Sequence, residues 1–200
     1  FIVAVRGIGG FHIACIEGAA GELKRRLGRT EQPLAVMATA EEVERIAVVS
    51  EEEWRILQSR ERPIVVLEKL DPASLPAISG LHTIGCMLPY TGLHHLLFAH
   101  LAHPLLVMTS ANLPGYPMIT DLEIALGRLS GEVDYILTHD RRIVNRCDDS
   151  VVRDGYIIRL SRGLAPKRAA IDLGDACILG VGPELNANVS VYKAGFCITS

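Results

Sequence analysis

Two hundred residues with a net charge of −3 suit one domain, or one domain with the stub of another, and argue against a strongly basic nucleic-acid binder. No apolar run reaches the roughly 18 residues of a membrane span, and no signal-peptide pattern is present. Five scattered cysteines without a C-x-x-C pair argue against a disulfide framework or zinc knuckle and fit a reducing cytoplasm.

The chain opens without Met on "FIVAV", a strand under way, so a fragment of something longer is expected. Strands are expected at 2–5, 33–37, 63–69, 83–88, 104–109 and 135–138, followed by a hairpin of "SVVR" and "YIIRLS" around Asp154-Gly155. Helices are expected at 18–28, 39–49, 50–59, 92–102 and 120–130. Thr120 with Glu123 forms a capping-box pattern for the last of these. Strands alternating with helices give an α/β class with some antiparallel pairing. Residues 163–175 read as a linker, and the tail to Ser200 opens a further strand-like pattern.

Several polar constellations stand out. "VMTSAN" (107–112) ends an apolar run on Thr109, Ser110 and Asn112; it is either a ligand-binding strand edge or a plain strand-to-loop transition. "AVRGIGGFH" (4–12) runs a strand into Arg6 and three glycines, either a phosphate contact or a glycine turn. "LKRRLGRTEQP" (23–33) places Arg25 and Arg26 four and three residues before Arg29, so their guanidinium groups are expected to face one anion or to sit on a solvated helix end. "THDRRIVNRCDDSVVR" (138–153) is too polar for an idle loop, and His94, His95, His100 and His103 lack the spacing of a metal face.

Taken together, "VRGIGGFHIAC", "RRLGRTEQPLAVM", "GCMLPYTGLHHLL", "VMTSAN", "HDRRIVNRCDDSVVR" and "SRGLAP" occur in an order that resembles the YrdC-like domain of the HypF family of hydrogenase-maturation carbamoyltransferases. The resemblance spans residues 1–166 and implies a YrdC-like twisted mixed sheet with helices packed around it. Residues 167–200 look like a linker and the truncated start of a TsaD-like carbamoyl-transfer domain. The implied reaction joins carbamate, derived from carbamoyl phosphate, to ATP as carbamoyl-adenylate with release of pyrophosphate. The carbamoyl group then passes to a C-terminal cysteine of a HypE-type partner in the cytoplasm. The resemblance implies Arg6 and Arg29 as catalytic cations, and ATP or adenylate contacts from Arg26, Thr109, Ser110, Asn112, Thr120, Ser150 and Arg162. It also implies a carbamoyl pocket of Thr83, Met87 and Tyr90, with loop support from Asp140, Arg141, Asn145 and Arg146. Mg²⁺ is expected on the ATP phosphates, with no metal ligand from the protein.

The related threonylcarbamoyl-AMP synthases of tRNA modification write an arginine where this chain has Met87 and a histidine where it has Met37. A thioether cannot hold the threonine carboxylate, which favours the smaller carbamoyl substrate. HypF-like domains usually carry lysines where this chain has Leu27 and Gln32, and Arg6 stands for another; weaker phosphate contacts are expected from the two losses. Three alternatives stay open: the threonylcarbamoyl-AMP synthase, a domain without turnover, and a non-catalytic module binding nucleotide or double-stranded RNA through Arg25, Arg26, Arg29, Arg141, Arg142 and Arg146.

Overall fold

In the computed structural model, which describes residues 1–112, 115–182 and 187–200, the strand and helix signals assemble into one large mixed sheet and one small antiparallel sheet. The chain begins with β1 (Ile2–Arg6) and β2 (Phe11–Cys15), then a short 3₁₀ turn leads into α1 (Ala20–Arg26). β3 (Ala35–Ala38), α2 (Ala40–Ile46), β4 (Ala47–Val48), α3 (Glu51–Leu57), β5 (Ile64–Lys69) and β6 (Thr83–Met87) follow. Next come α4 (Gly92–His100), β7 (Leu105–Ser110), α5 (Leu122–Arg128), β8 (Tyr135–Leu137) and the hairpin β9 (Val151–Arg153) and β10 (Tyr156–Arg159). The tail adds β11 (Lys167–Ala170), β12 (Ile178–Val181), β13 (Val189–Lys193) and β14 (Phe196–Thr199).

The large sheet runs β10-β9-β5-β6-β3-β7-β2-β1-β8, with β4 also paired to β5. Its β3–β6, β5–β9 and β1–β8 pairs are parallel, and the others are antiparallel. Period-two alternation gives each strand two faces. Val36 lies opposite both Val107 and Cys86 on one face, where Leu23, Val43, Leu57 and Leu129 from α1, α2, α3 and the end of α5 complete the larger core. Met37 lies opposite Met87, and Ala35 opposite Met108, on the other face, covered by Leu93, Leu97 and Phe98 of α4. A single helix therefore covers the face that carries the polar groups described below.

Helix starts follow side-chain capping of otherwise unpaired N–H groups. Ser50 and Glu53 form a reciprocal capping box, and Thr39 and Thr91 cap α2 and α4. α5 corrects the expectation for Thr120: Asp121 is the cap, its Oδ1 accepting from Ile124 N at 3.1 Å, because a carboxylate one residue later offers the stronger acceptor to the helix N-terminus. Three strands escaped the sequence pattern, and one of them, β4, ends the helix expected to run to 49 because Ala47 and Val48 pair with Lys69 and Glu68 of β5. β2 is buried along its whole length and so shows no alternation, and β11 lies inside the stretch read as linker, its exposed residues held by pairing with β14. Among the described residues no helix is long and apolar enough to cross a membrane.

Candidate functional site

The "TSAN" edge forms because β7 ends beside two other segments. Ala111 N donates to Phe11 O, Ile119 N donates to Ala111 O, and Phe11 N donates to Ile119 O, each at 2.8–2.9 Å. Thr120, half-buried, follows directly on this return segment. Leu113 and Pro114, which follow Asn112 in the sequence, lie outside the described residues.

Arg29 reaches this edge through the way α1 ends. Gly28 adopts φ +63°, Gly28 N donates to Arg25 O and Arg29 N donates to Lys24 O, which is the Schellman pattern at a helix C-terminus. The turn swings Arg29 off the helix axis. The expected shared face of Arg25, Arg26 and Arg29 is therefore corrected: Arg25 and Arg26 bond Glu22, and Arg26 also bonds Asp134, while Arg29 points elsewhere. Its Nη1 donates to Thr109 Oγ1 at 3.0 Å, and its Nη2 donates to Asn112 Oδ1 at 2.9 Å and Asn112 O at 2.7 Å. Ser110 Oγ donates to the same Asn112 Oδ1 at 2.8 Å. Burial pulls the Arg29 pKa down from its ordinary value, yet a guanidinium stays charged.

A hollow of about 420 Å³ opens nearby, walled by residues 6–8, 90–93 and 139–142. The glycines of 7–10 form the turn of the β1–β2 hairpin, with Gly7 N donating to Gly10 O at 2.8 Å. A Cβ on Gly9 would lie 2.3 Å from Cys147 O, so this glycine lets the 140s loop close against the turn. Arg6 Nη1 donates to His139 O at 2.9 Å, which ties the hairpin to that loop. Asp140, Arg141 and Arg142 form the rim with the first turn of α4, whose leading N–H groups have no intrahelical partner.

Behind the hollow lies a buried ionic cluster. His12 Nε2 donates to Asp149 Oδ2 at 2.9 Å, and Arg162 Nε donates to Asp149 Oδ1 at 2.8 Å. Arg162 spends its remaining nitrogens on Glu61 O and Arg62 O, and its guanidinium carbon stacks 3.7 Å from the Tyr90 ring centroid. Burial alone raises the Asp149 pKa, but the charges and hydrogen bonds of His12 and Arg162 outweigh it and hold the carboxyl below its usual range. The His94 ring meets Tyr90 edge-on at 4.5 Å. Burial lowers the His94 pKa to about 4, against the pull of Asp149, so this imidazole is neutral at pH 7. Burial and the Asp149 charge push the Tyr90 phenol above its ordinary value, and it stays protonated. Ser150 is buried and committed to backbone: its Oγ donates to Arg162 O and accepts from Ser161 N, both at 2.9 Å.

Four buried polar atoms here have no hydrogen-bond partner among the described residues: Arg6 Nε, His12 Nδ1, Tyr90 Oη and His94 Nδ1. Each unpaired buried group costs about 1–3 kcal/mol, and two of the four, on Arg6 and Tyr90, belong to residues that wall the hollow.

A family model described as telomere recombination, Sua5/YciO/YrdC, matches residues 1–161. The chain belongs to the Sua5/YciO/YrdC family. It is similar to a probable carbamoyltransferase HypF of Methanocaldococcus jannaschii, 48% identical over 204 residues, covering 96% of this chain and 26% of that protein. Among solved structures it is similar to the crystal structure of T. kodakarensis HypF, with TM-score 0.91 and 46% identity, covering 100% of this chain and 28% of the other. It is also similar to a full-length HypF in a phosphate- and nucleotide-bound form, with TM-score 0.87 and 39% identity, covering 100% of this chain and 33% of the other. The chain thus spans about a quarter to a third of the length of these HypF relatives. The HypF resemblance drawn from six sequence blocks and the YrdC-like fold both stand.

Within this YrdC-like domain the expected site residues fall into three sets. Arg29, Thr109, Ser110 and Asn112 touch one another, with Thr120 alongside. Arg6, Tyr90, Asp140 and Arg141 line the hollow, with Ser150 and Arg162 behind it and Met87 packed in the same apolar cluster as Tyr90. His12 sits opposite Ser110 in the β2–β7 register, so the two sets adjoin across one strand pair. Four expected residues lie apart from both: Arg26 ties α1 to Asp134, Asn145 and Arg146 are exposed outside the hollow, and Thr83 is the fourth. Thr83 begins the strand that Met87 ends and lines a separate cleft with Leu34, Gly85 and Ile158. Sequence reasoning missed His12 because β2 itself was not seen. The one available signal was its place in "FHIAC", a polar residue amid apolar ones directly after the glycine turn.

Proposed function

We propose that this domain forms carbamoyl-adenylate from ATP and carbamate as part of a HypF-type carbamoyltransferase of hydrogenase maturation. The observation that carries the reading is Arg29, delivered by the Gly28 turn onto Thr109 and Asn112, one strand away from a cationic hollow. Support comes from the HypF relatives and from the nucleotide-bound state of one of them.

In this reaction a carbamate oxygen bonds to the α-phosphorus of ATP while the bond from that phosphorus to the bridging oxygen breaks, and pyrophosphate leaves. The protein contributes positioning and charge neutralisation. Arg29 keeps its Nε–H after its four contacts, and Asn112 keeps one amide hydrogen after donating to Tyr116 O. These donors hold the phosphates, and Arg6 with the first turn of α4 faces the reacting end. Among the described residues no three His, Cys, Asp or Glu side chains are grouped for a metal. The oxygens of Thr109 and Asn112 already accept from Arg29, so a Mg²⁺ carried in on the nucleotide would keep phosphate and water oxygens as its ligands rather than this edge. When bound, that ion neutralises phosphate charge. Residues 167–200 then begin the transfer domain that hands the carbamoyl group to a HypE-type acceptor, in the cytoplasm.

The threonylcarbamoyl reading is disfavoured by Met37 and Met87, which face each other in a packed apolar cluster and offer a carboxylate nothing. The RNA reading is weakened because Arg25 and Arg26 are paired with acids on their own surface. Exchange of labelled pyrophosphate into ATP tests the proposal in the intact gene product. Exchange is expected with carbamate, supplied by ammonium bicarbonate; dependence on threonine with bicarbonate would transfer the domain to the tRNA-modifying branch.

A further inference from the structure

Residues 138–150 join two strands that are far apart in the large sheet. They leave β8 at one edge and enter β9, one strand in from the other edge, so they cross the face that carries α4 and the hollow. Two ties hold this strap to the β1–β2 hairpin. At its start Arg6 Nη1 donates to His139 O at 2.9 Å, and near its end Cys147 N donates to Gly9 O at 3.1 Å. Just beyond, Asp149 is fixed by His12 and Arg162.

Between the ties the strap is bound to almost nothing. Among the described residues, 140–146 form no helix or strand, and their one hydrogen bond runs from Arg141 N to His139 Nδ1 at 3.1 Å. Val144, an apolar side chain, is 82% exposed. Arg141, Arg142 and Arg146 are exposed and make no ion pair among the described residues. The first two of them stand on the rim of the hollow. A segment pinned at both ends and unbonded between them moves at little cost. Three guanidinium groups on it, at the mouth of a site for a polyphosphate, supply the differential contact that a closing motion requires.

Resting on the nucleotide reading above, we propose that 140–146 are a lid that closes on the phosphate chain of ATP, turning about the His139 and Cys147 ties. Closing brings Arg141, Arg142 and Arg146 onto phosphate oxygens, takes Val144 out of water and keeps water from the reacting end. Gly9 is what the second tie needs. A Cβ there would lie 2.3 Å from Cys147 O and 2.4 Å from Cys147 Sγ, so a larger residue forces the tie apart.

Hydrogen exchange read by mass spectrometry tests this in the intact gene product, with ATP and Mg²⁺ as the probe and calorimetry to measure ATP binding. Without nucleotide the amides of 140–146 are expected to exchange rapidly. At saturating ATP they should slow about tenfold or more, while the Cys147 amide is protected in both states. Arg141→Gln, Arg142→Gln and Arg146→Gln made together should abolish that slowing and raise the ATP dissociation constant about tenfold, through a faster off-rate. Tm without ligand should not change in this variant. Gly9→Ala should open the Cys147 amide to exchange and weaken ATP binding by a similar factor. ATP binding with exchange of 140–146 unchanged overturns the lid and leaves the nucleotide reading standing. A triple variant that keeps the wild-type off-rate does the same. Wild-type protein that binds no ATP defeats the nucleotide reading and takes the lid with it.

Discussion

The Arg29 corner and the Tyr90 end of the hollow adjoin across one strand pair and are built on opposite principles. At the corner, Thr109, Ser110, Asn112 and Arg29 satisfy one another, so the groups are held before any ligand arrives. At the Tyr90 end the supporting ionic cluster is satisfied, but the atoms in front of it are not. A polyanionic nucleotide tail can be met by spare donors on a rigid frame, because each charge-assisted contact is strong. At the Tyr90 end the unpaired buried groups are instead a standing cost to stability.

The comparison is broken most severely at Asp149. Asp149→Ala removes the carboxylate between His12 and Arg162 and leaves a buried guanidinium uncompensated, a loss of about 3–5 kcal/mol by analogy with other buried ion pairs. Chemical denaturation should show it as a lowered midpoint. Asp149→Asn keeps the shape and should recover part of the loss. If Asp149→Ala costs less than about 1 kcal/mol, the cluster is not the support of the Tyr90 end.

Arg29→Ala attacks the other region. Two or more charge-assisted contacts of about 1.5–3 kcal/mol each are at stake, so ATP affinity by calorimetry should fall about a hundredfold. Arg29→Lys should recover little, because an ammonium cannot bridge Thr109 and Asn112 as the planar fork does. Stability should change much less than in Asp149→Ala, since Arg29 is only half-buried. That separation, affinity lost at one region and stability at the other, is the expected pattern.

How much of this was legible follows from which signals are local. Strand β7 and the "TSAN" edge were readable because an apolar run stops at small polar side chains. The helices were readable from caps such as Ser50 with Glu53. Strand β2 was not, because burial on both faces erases alternation, and losing it hid His12. The partner of His12 is 137 residues away, a distance over which periodicity carries no information. Thr83 and Tyr90, seven residues apart, were expected in one pocket, but an extended strand carries them to different clefts. Gly28 was visible in the sequence as the glycine that closes the expected helix over 18–28. That its left-handed turn redirects Arg29 needed the structure.

Acid sharpens the comparison next. His94 binds a proton with a pKa of about 4 in the folded protein against 6.5 ordinarily, so between those values the unfolded chain holds more protons. Stability therefore falls as pH drops from about 6.5 towards about 4, and is unaffected by this group above that window. Asp149 works in the same direction but later: its contribution is present above the ordinary carboxylate pKa and is lost only as pH falls through its depressed value. Melting temperature followed across pH 7 to 4 should slope downward, and His94→Phe should flatten the slope. An unchanged slope would place the sensitive group elsewhere.

The smallest effect isolates the device that joins sequence to site. A Cβ on Gly28 would meet nothing within 4 Å, so Gly28→Ala costs only the left-handed backbone, about 1–2 kcal/mol. Gly28→Asn should cost less, since asparagine tolerates that conformation. The two substitutions differ in backbone preference alone, so ATP affinity should follow stability in rank if the turn is what delivers Arg29 to Asn112. Alanine weakening both and asparagine neither is the expected outcome. ATP affinity that holds in Gly28→Ala while stability drops would mean that Thr109 and Asn112 capture Arg29 without help from the helix end.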